Sequence, residues 1–338
     1  MALLCGFALL RAIQQRWVSD DAFISFRYAR NLVHGHGLVF NVGERVEGYT
    51  NFLWTVVIAA GMKLGLDPVM LSQVLGILGF AATIIVVAGS SWRLFGLTTS
   101  WIPFAALACA LHRDLQIWAT GGLETSWATL AVTLGVVLLA LAQRPRTVAA
   151  AGLLLVLAIL LRPDAIVAYA SGALFLVFAG PRQRSTWFAF FLPFLLLFLP
   201  YWSLRAAYYG HFYPNTYYAK SAALANYSQG LRYAELYAIV YPVFAFLALF
   251  CVAAGVFFAC QARQGVKRPP DRLLFLSSIA VVSFSAYVIR IGGDFMFARF
   301  FVPITPLAFL AGECLLYGLV SSPRVRMAAG VAAALSVL

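Results

Sequence analysis

Val69-Met-Leu-Ser-Gln-Val-Leu-Gly-Ile-Leu-Gly-Phe-Ala-Ala-Thr-Ile-Ile-Val-Val-Ala-Gly-Ser-Ser91 runs without one charged side chain. As a helix rising about 1.5 Å per residue it reaches about 34 Å, enough to cross a hydrocarbon core of about 30 Å. Outward from it, apolar runs recur at Leu3–Leu10, Trp101–Leu111, Ser126–Leu141, Thr147–Leu161, Ala165–Phe178, Phe188–Trp202, Ala234–Cys260, Leu273–Val288, Phe301–Leu319 and Met327–Leu338. The chain is 63% apolar and 11% charged with a mean hydropathy of +0.88, against about 45–50% and 25% for a soluble domain. A soluble globular fold is excluded. The expected class is all-α, a polytopic transmembrane helical bundle of about 10–11 spans.

The charges fix how these runs pair. Lys and Arg number 24 against 12 Asp and Glu, a net charge of +12. In a soluble protein that balance would point to nucleic acid. Here Arg93, then Arg144 and Arg146, Arg182 and Arg184, Arg263, Lys267, Arg268 and Arg272, then Arg324 and Arg326 fill short gaps between apolar runs. That is the cytoplasmic signature of a membrane protein, and no nucleic-acid partner is expected. Pairing the crossings between those gaps makes Phe52–Leu66, interrupted by Lys63, an interfacial or re-entrant helix. It makes Thr147–Phe178 a hairpin turning at Arg162-Pro163-Asp164. Asp20, Asp21, Glu44, Glu47, Asp67, Asp114, Glu124, Asp164, Glu235 and Asp294 then share the opposite side, leaving Asp271 inside and Glu313 within a span. The five cysteines lie in or beside apolar runs without metal-ligand spacing and read as small hydrophobes. One transmembrane domain is expected over residues 1–338, cut at one or both ends, with residues 14–66 as a first extracytoplasmic loop carrying the acidic motif and interfacial helices.

That loop reads Ser19-Asp20-Asp21-Ala-Phe-Ile-Ser-Phe-Arg27-Tyr28-Ala-Arg30-Asn31 and later Glu47-Gly-Tyr-Thr-Asn51. Ser19 or Asp20 suits a helix N-cap, which explains one acid well and two poorly. Phe23, Arg27 and Arg30 follow Asp20 on one side of the helix, at whose positive end a carboxylate stays ionised and can accept a proton. Gly121-Gly-Leu-Glu124 sets a carboxylate at the start of a span, where capping and a direct role are both open. Tyr208-Tyr-Gly210, Pro214-Asn215 and Lys220 combine aromatics, a turn and a cation. In Arg290-Ile-Gly292-Gly293-Asp294 through Arg299, Asp294 can pair with either arginine.

In this order, Asp20-Asp21 before an aromatic-rich helix, Glu47 to Asn51, Gly122-Leu-Glu124, Arg162-Pro-Asp164, Tyr208-Tyr-Gly, Pro214-Asn215 with Ala219-Lys220, and Gly292-Gly-Asp294 with Arg299-Phe resemble the polytopic superfamily C glycosyltransferases. Within them the chain is most similar to the bacterial branch that includes the terminal β-(1→2)-arabinofuranosyltransferases. Members are usually longer, with a soluble C-terminal domain.

The resemblance implies an enzyme of the plasma membrane that moves arabinofuranose, mannose or a similar sugar, with inversion, from a polyprenyl-phosphate donor to a cell-envelope glycan or lipid acceptor on the extracytoplasmic face. It implies Asp20 as general base and Asp21 as its partner, orienting the acceptor or sharing a divalent cation (Mg²⁺, Mn²⁺ or Ca²⁺). Lys220, Arg290 and Arg299, with Arg27 behind them, are expected at the donor phosphate. Glu47, Asn51, Glu124, Asp164, Asn215 and Asp294 are expected to line the sugar pocket. The rival is a transporter or flippase for a lipid-linked sugar, since charges at the membrane edge also mark transport paths. No internal repeat supports it, and the acids gather at one surface rather than at mid-membrane.

Overall fold

The structure is a computed structural model that describes residues 2–96, 103–179, 183–219, 224–261 and 266–337. In chain order its helices are α1 Ala2–Gln14, α2 Asp20–Val33, α3 Phe52–Lys63, α4 Pro68–Phe95, α5 Phe104–Leu111, α6 Arg113–Trp118, α7 Thr125–Leu141, α8 Pro145–Leu161, α9 Ile166–Ala179, α10 Arg184–Pro193, α11 Leu199–Tyr209, α12 Asn215–Ala219, α13 Tyr227–Val240, α14 Pro242–Gln261, α15 Pro269–Ile291, α16 Thr305–Leu319 and α17 Pro323–Leu335. No strand occurs among the described residues. The expected all-α membrane bundle is present. Five helical stretches are long and apolar enough to cross a membrane: α4, α10 through α11, α14, α15, and α16 with the turn before it. Five shorter apolar helices, of 10 to 17 residues, join them: α1, α3, α7, α8, and α9 with its leading turn.

Most boundaries follow local chemistry. Proline opens α4, α8, α15 and α17, where its missing N–H is not needed. The side chain of Asp67 accepts from the Met70 N–H at the head of α4, and Gly96 closes that helix in the left-handed conformation. Two expectations shift. The run Ala234–Cys260 breaks at Tyr241, because Pro242 cannot continue a helix through its own position. The run ending at Leu111 is helical only from Phe104 to Leu111, then turns at His112 into α6; its first residues, 101 and 102, lie outside the described set. Helices approach closely over small residues, as membrane bundles do. A Cβ at Gly152 of α8 would lie 2.5 Å from the Phe190 carbonyl of α10.

The bundle has two chemically different ends. At one, Arg272 at the start of α15 donates to the carbonyls of Ala140 (2.7 Å) and Ala179 (3.0 Å), satisfying the C-terminal ends of α7 and α9. At the other lie the first residues of α2, α3 and α7 and the α8–α9 turn. The carboxylates gather there. Glu313 is buried within α16, where its carboxylate accepts from the Ser91 hydroxyl.

Candidate functional site

Glu124 is the hub of the acidic end. The Gly121-Gly122 turn brings it there: Gly122 has φ +80°, and a Cβ on it would meet the Ala22 side chain at 2.9 Å. Ser19 donates its N–H to the Gly121 carbonyl (3.0 Å), and the Trp54 indole donates to that of Gly122 (3.2 Å), so the turn ties α2, α3 and α7 together. Glu124 is 2% exposed. Its carboxylate accepts from Asn51 Nδ2 at 2.8 Å, Arg299 Nη2 at 3.1 Å and Arg162 Nη1 at 3.4 Å. Burial alone would raise its pKa, but the charges of Arg299 and Arg162 and the Asn51 hydrogen bond hold it below the usual glutamate value. Glu124 is therefore an anion that organises cations. No side-chain capping bond from it to α7 is formed, which removes the capping alternative.

Arg162, at the α8–α9 turn, is shared between Glu124 and Asp164, whose Oδ1 accepts from its Nε at 3.1 Å. Asn51 is held by Ser25, its Oδ1 accepting from the serine hydroxyl at 3.1 Å. Arg299 reaches the site from the segment after α15. Ala298 before it is the one non-glycine residue with positive φ (62°) among the described residues, a backbone state that costs about 1–2 kcal/mol. Beyond Glu124, Arg299 Nη1 lies 3.7 Å from Asp21 Oδ2, and its Nε is buried without a hydrogen-bond partner. The Trp118 ring lies 5.7 Å from this guanidinium. Asp20 stands beside Asp21, exposed, its Oδ1 accepting from the Asp21 N–H at 2.9 Å.

The structure thus brings Asp20, Asp21, Asn51, Glu124, Asp164 and Arg299 into one connected set. Glu47 and Asn215 belong to a neighbouring one. Glu47 (3% exposed) accepts from Arg205 Nε at 2.8 Å, and the Asn215 N–H donates to the Glu47 carbonyl at 3.2 Å. Nη1 and Nη2 of Arg205 each donate once more, to the carbonyls of Phe212 (2.7 Å) and His211 (2.8 Å). This clamps the segment after α11 onto the first loop.

No hydrogen bond or ion pair joins Arg27, Arg290 or Asp294 to the Glu124 set among the described residues. Arg27 donates to the Phe40 carbonyl (2.7 Å) and to Asn41 Oδ1 (3.0 Å), bracing the loop. The cation near the acidic pair is Arg299, because seven helical residues carry Arg27 about 10 Å along the axis from Asp20. Arg290 is exposed at the end of α15. Asp294 accepts from the Phe295 N–H at 2.8 Å, while Arg299, one of its two expected partners, turns instead to Glu124 and Asp21. Lys220 lies outside the described residues.

A divalent cation on Asp20 and Asp21 fits this arrangement poorly. Ca²⁺ needs six or more oxygens and Mg²⁺ one or two carboxylates with water; at Asp21 the charge of the Arg299 guanidinium, 3.7 Å away, opposes a cation. Among the described residues no group of three His, Cys, Asp or Glu side chains converges.

Two buried cations carry more of the site than the sequence reading gives them: Arg162, read as part of a turn and of the Arg162-Pro-Asp164 motif, and Arg205. Their signal was available. Each sits at the end of an apolar run, Thr147–Leu161 and Phe188–Trp202, where an ionisable side chain is costly and is held by a partner.

No protein-family model matches the chain. It is 30% identical over 336 residues to a terminal β-(1→2)-arabinofuranosyltransferase of Corynebacterium glutamicum, covering 88% of this chain and 48% of the relative. It is 30% identical over 334 residues to the Mycobacterium tuberculosis protein of the same name, covering 87% and 51%. The chain spans about half the length of these relatives. Among solved structures it is similar to ArnT from Cupriavidus metallidurans, crystallised with undecaprenyl phosphate, at a TM-score of 0.65 and 17% identity over 96% of this chain and 60% of that one. The chain is thus similar in sequence to the terminal β-(1→2)-arabinofuranosyltransferases over about half their length and shares its fold with ArnT.

Proposed function

We propose that this chain carries the catalytic site of an integral-membrane glycosyltransferase that moves a sugar, arabinofuranose first among candidates, from a polyprenyl-phosphate donor to a cell-envelope glycan or lipid acceptor. The observation that carries the reading is Arg299: a largely buried guanidinium at the end of an apolar bundle, anchored on Glu124 and facing an acidic pair. A cation there meets the phosphate of a lipid lying along the helices, and a carboxylate beside it meets the acceptor hydroxyl. In inverting transfer Asp20 takes the proton of that hydroxyl as its oxygen bonds to the anomeric carbon. The bond from that carbon to the phosphate breaks, and Arg299, with Lys220 and Arg290, stabilises the charge on the departing phosphate. Asn51, Asp164, Glu47, Asn215 and Asp294 surround the sugar. The site faces the extracytoplasmic side of the plasma membrane, because the basic gaps hold the other end in the cytoplasm.

Transport of a lipid-linked sugar is less favoured, since both curated relatives bear transferase names. Purified protein in nanodiscs, offered polyprenyl-phosphate sugars and nucleotide sugars with glycan acceptors, tests the reading. Turnover with the lipid-linked donors alone is expected; turnover with a nucleotide sugar alone would reject it. Cysteines placed at 44 and 267, both exposed, in a cysteine-stripped background test the sidedness. An impermeant maleimide that labels position 267 from outside intact cells would overturn it.

A further inference from the structure

Arg299 is held firmly on one side and loosely on the other. Its Nη2 lies 3.1 Å from Glu124, which is 2% exposed and fixed in turn by Asn51 and Arg162. Toward the acidic pair its Nη1 lies 3.7 Å from Asp21, beyond the range of a good hydrogen bond. The Asp21 side chain there is 36% exposed. The Nη1 group also touches the Met296 sulfur at 3.3 Å, a weak acceptor, and Nε is buried with no partner. At Nη1 a phosphate oxygen, a far stronger acceptor than a thioether sulfur, improves on the contact already there.

The charges point the same way. Arg162 is balanced by Asp164, so the Glu124 carboxylate serves chiefly Arg299, and Asp21 contributes from the edge. A phosphate can give a guanidinium two short charge-assisted hydrogen bonds, where Asp21 gives a loose contact.

We propose that the donor phosphate and the Asp21 carboxylate compete for the outer side of Arg299, so that donor binding draws Arg299 off Asp21 and releases the acidic pair to the acceptor. Binding is then ordered, donor first. This rests on the glycosyltransferase reading above and gives Asp21 a role of its own: it holds Arg299 in place until the phosphate arrives.

The sign of one substitution tests it. Undecaprenyl phosphate is titrated into wild-type protein, Asp21→Asn, Arg299→Gln and the double variant in nanodiscs, with and without Mg²⁺, and melting curves report folding. Asp21→Asn removes the competitor and should tighten binding about 1.5- to 5-fold, the worth of one exposed ion pair, while sugar transfer falls. Arg299→Gln should weaken binding, and in its background Asp21→Asn should tighten binding less than it does in the wild type. Asp21→Ser is the second variant and should shift binding in the same direction. Unchanged or weaker binding by both Asp21 variants would overturn the competition, and weakening seen only with Mg²⁺ would assign Asp21 to a cation instead. Wild-type binding that Arg299→Gln leaves intact would remove the phosphate assignment itself, so the two failures are told apart.

Discussion

Arg205 and Arg299 are both guanidiniums held by a buried glutamate at the same end of the bundle, yet they are used in opposite ways. Every nitrogen of Arg205 is engaged: Nε on Glu47, both terminal nitrogens on backbone carbonyls, its face on the Trp202 ring 4.5 Å away. Arg299 has one firm partner, one loose partner and one donor with none. Burial alone does not mark a functional arginine. What separates the two is unspent hydrogen-bonding capacity, because only a group with donors to give can bind a ligand without first breaking the fold.

The largest effect should come from the acidic pair that Arg299 faces. Asp20, the first residue of α2 behind the N-cap Ser19, makes no capping bond, and Asp20→Asn keeps its shape and the oxygen that accepts from the Asp21 N–H yet removes the proton acceptor. Transfer should fall by about 10²- to 10⁴-fold with a defined lipid-linked donor. The melting temperature should stay near that of the wild type, since Asp20 is exposed. Near wild-type turnover would move the base elsewhere, most directly to Asp21.

Next come the two arginines themselves. Arg205→Gln leaves Glu47 buried without its cation, and breaking a buried pair costs about 3–5 kcal/mol. Thermal unfolding should shift sharply, with the loss of activity following the loss of folded protein. Arg299→Gln should lower transfer by about 10²- to 10³-fold, as removal of a charge-stabilising donor does, with a smaller fall in melting temperature. Were the two variants to show the same ratio of lost activity to lost stability, the distinction between clamp and ligand-binding arginine would fail.

The sequence carried the bundle and much of the site, for reasons visible in particular residues. The uncharged run around Val69 and the segregated charges are one-dimensional signals, readable without any contact. The turn at Arg162-Pro163-Asp164 was legible because proline and a short apolar helix on each side leave few alternatives. The break at Tyr241 was not, because apolar residues on both sides hide where one helix stops. The Arg299–Glu124 contact joins positions 175 apart in sequence. Spacing along α2 therefore nominated Arg27 as a cation near Asp20, when the cation there comes from the other end of the chain. Asn51, Glu124, Asp164 and Arg299 were named one by one, but only the fold groups them and sets Glu47 with Asn215 in a second cluster.

The smallest expected effect compares the two glutamates by pH. Burial pushes Glu47 above the ordinary glutamate value of 4.5, and the single hydrogen-bonded charge of Arg205 takes back only part of that shift. Two guanidiniums and Asn51 bring Glu124 below the same value in spite of its burial. The linkage signs are opposite. Glu124, with its folded pKa depressed, contributes stability that is complete above about 4.5 and is lost as pH falls through the folded value. Glu47, with its folded pKa raised, leaves the native state relatively weaker as pH rises from 4.5 through the folded value. Melting temperatures of the wild type, Glu124→Gln and Glu47→Gln should therefore be taken from pH 3.5 to 7.5, about one unit to one side of 4.5 and three to the other, wide enough to cover shifts of ordinary size. The wild-type advantage over Glu124→Gln should shrink toward acid, and the advantage over Glu47→Gln should shrink toward neutrality. Each difference cancels the groups common to both proteins, so other carboxylates do not obscure the sign. Slopes of the same sign would mean that one guanidinium serves Glu47 as well as two serve Glu124, and the contrast between the two clusters would lose its electrostatic basis.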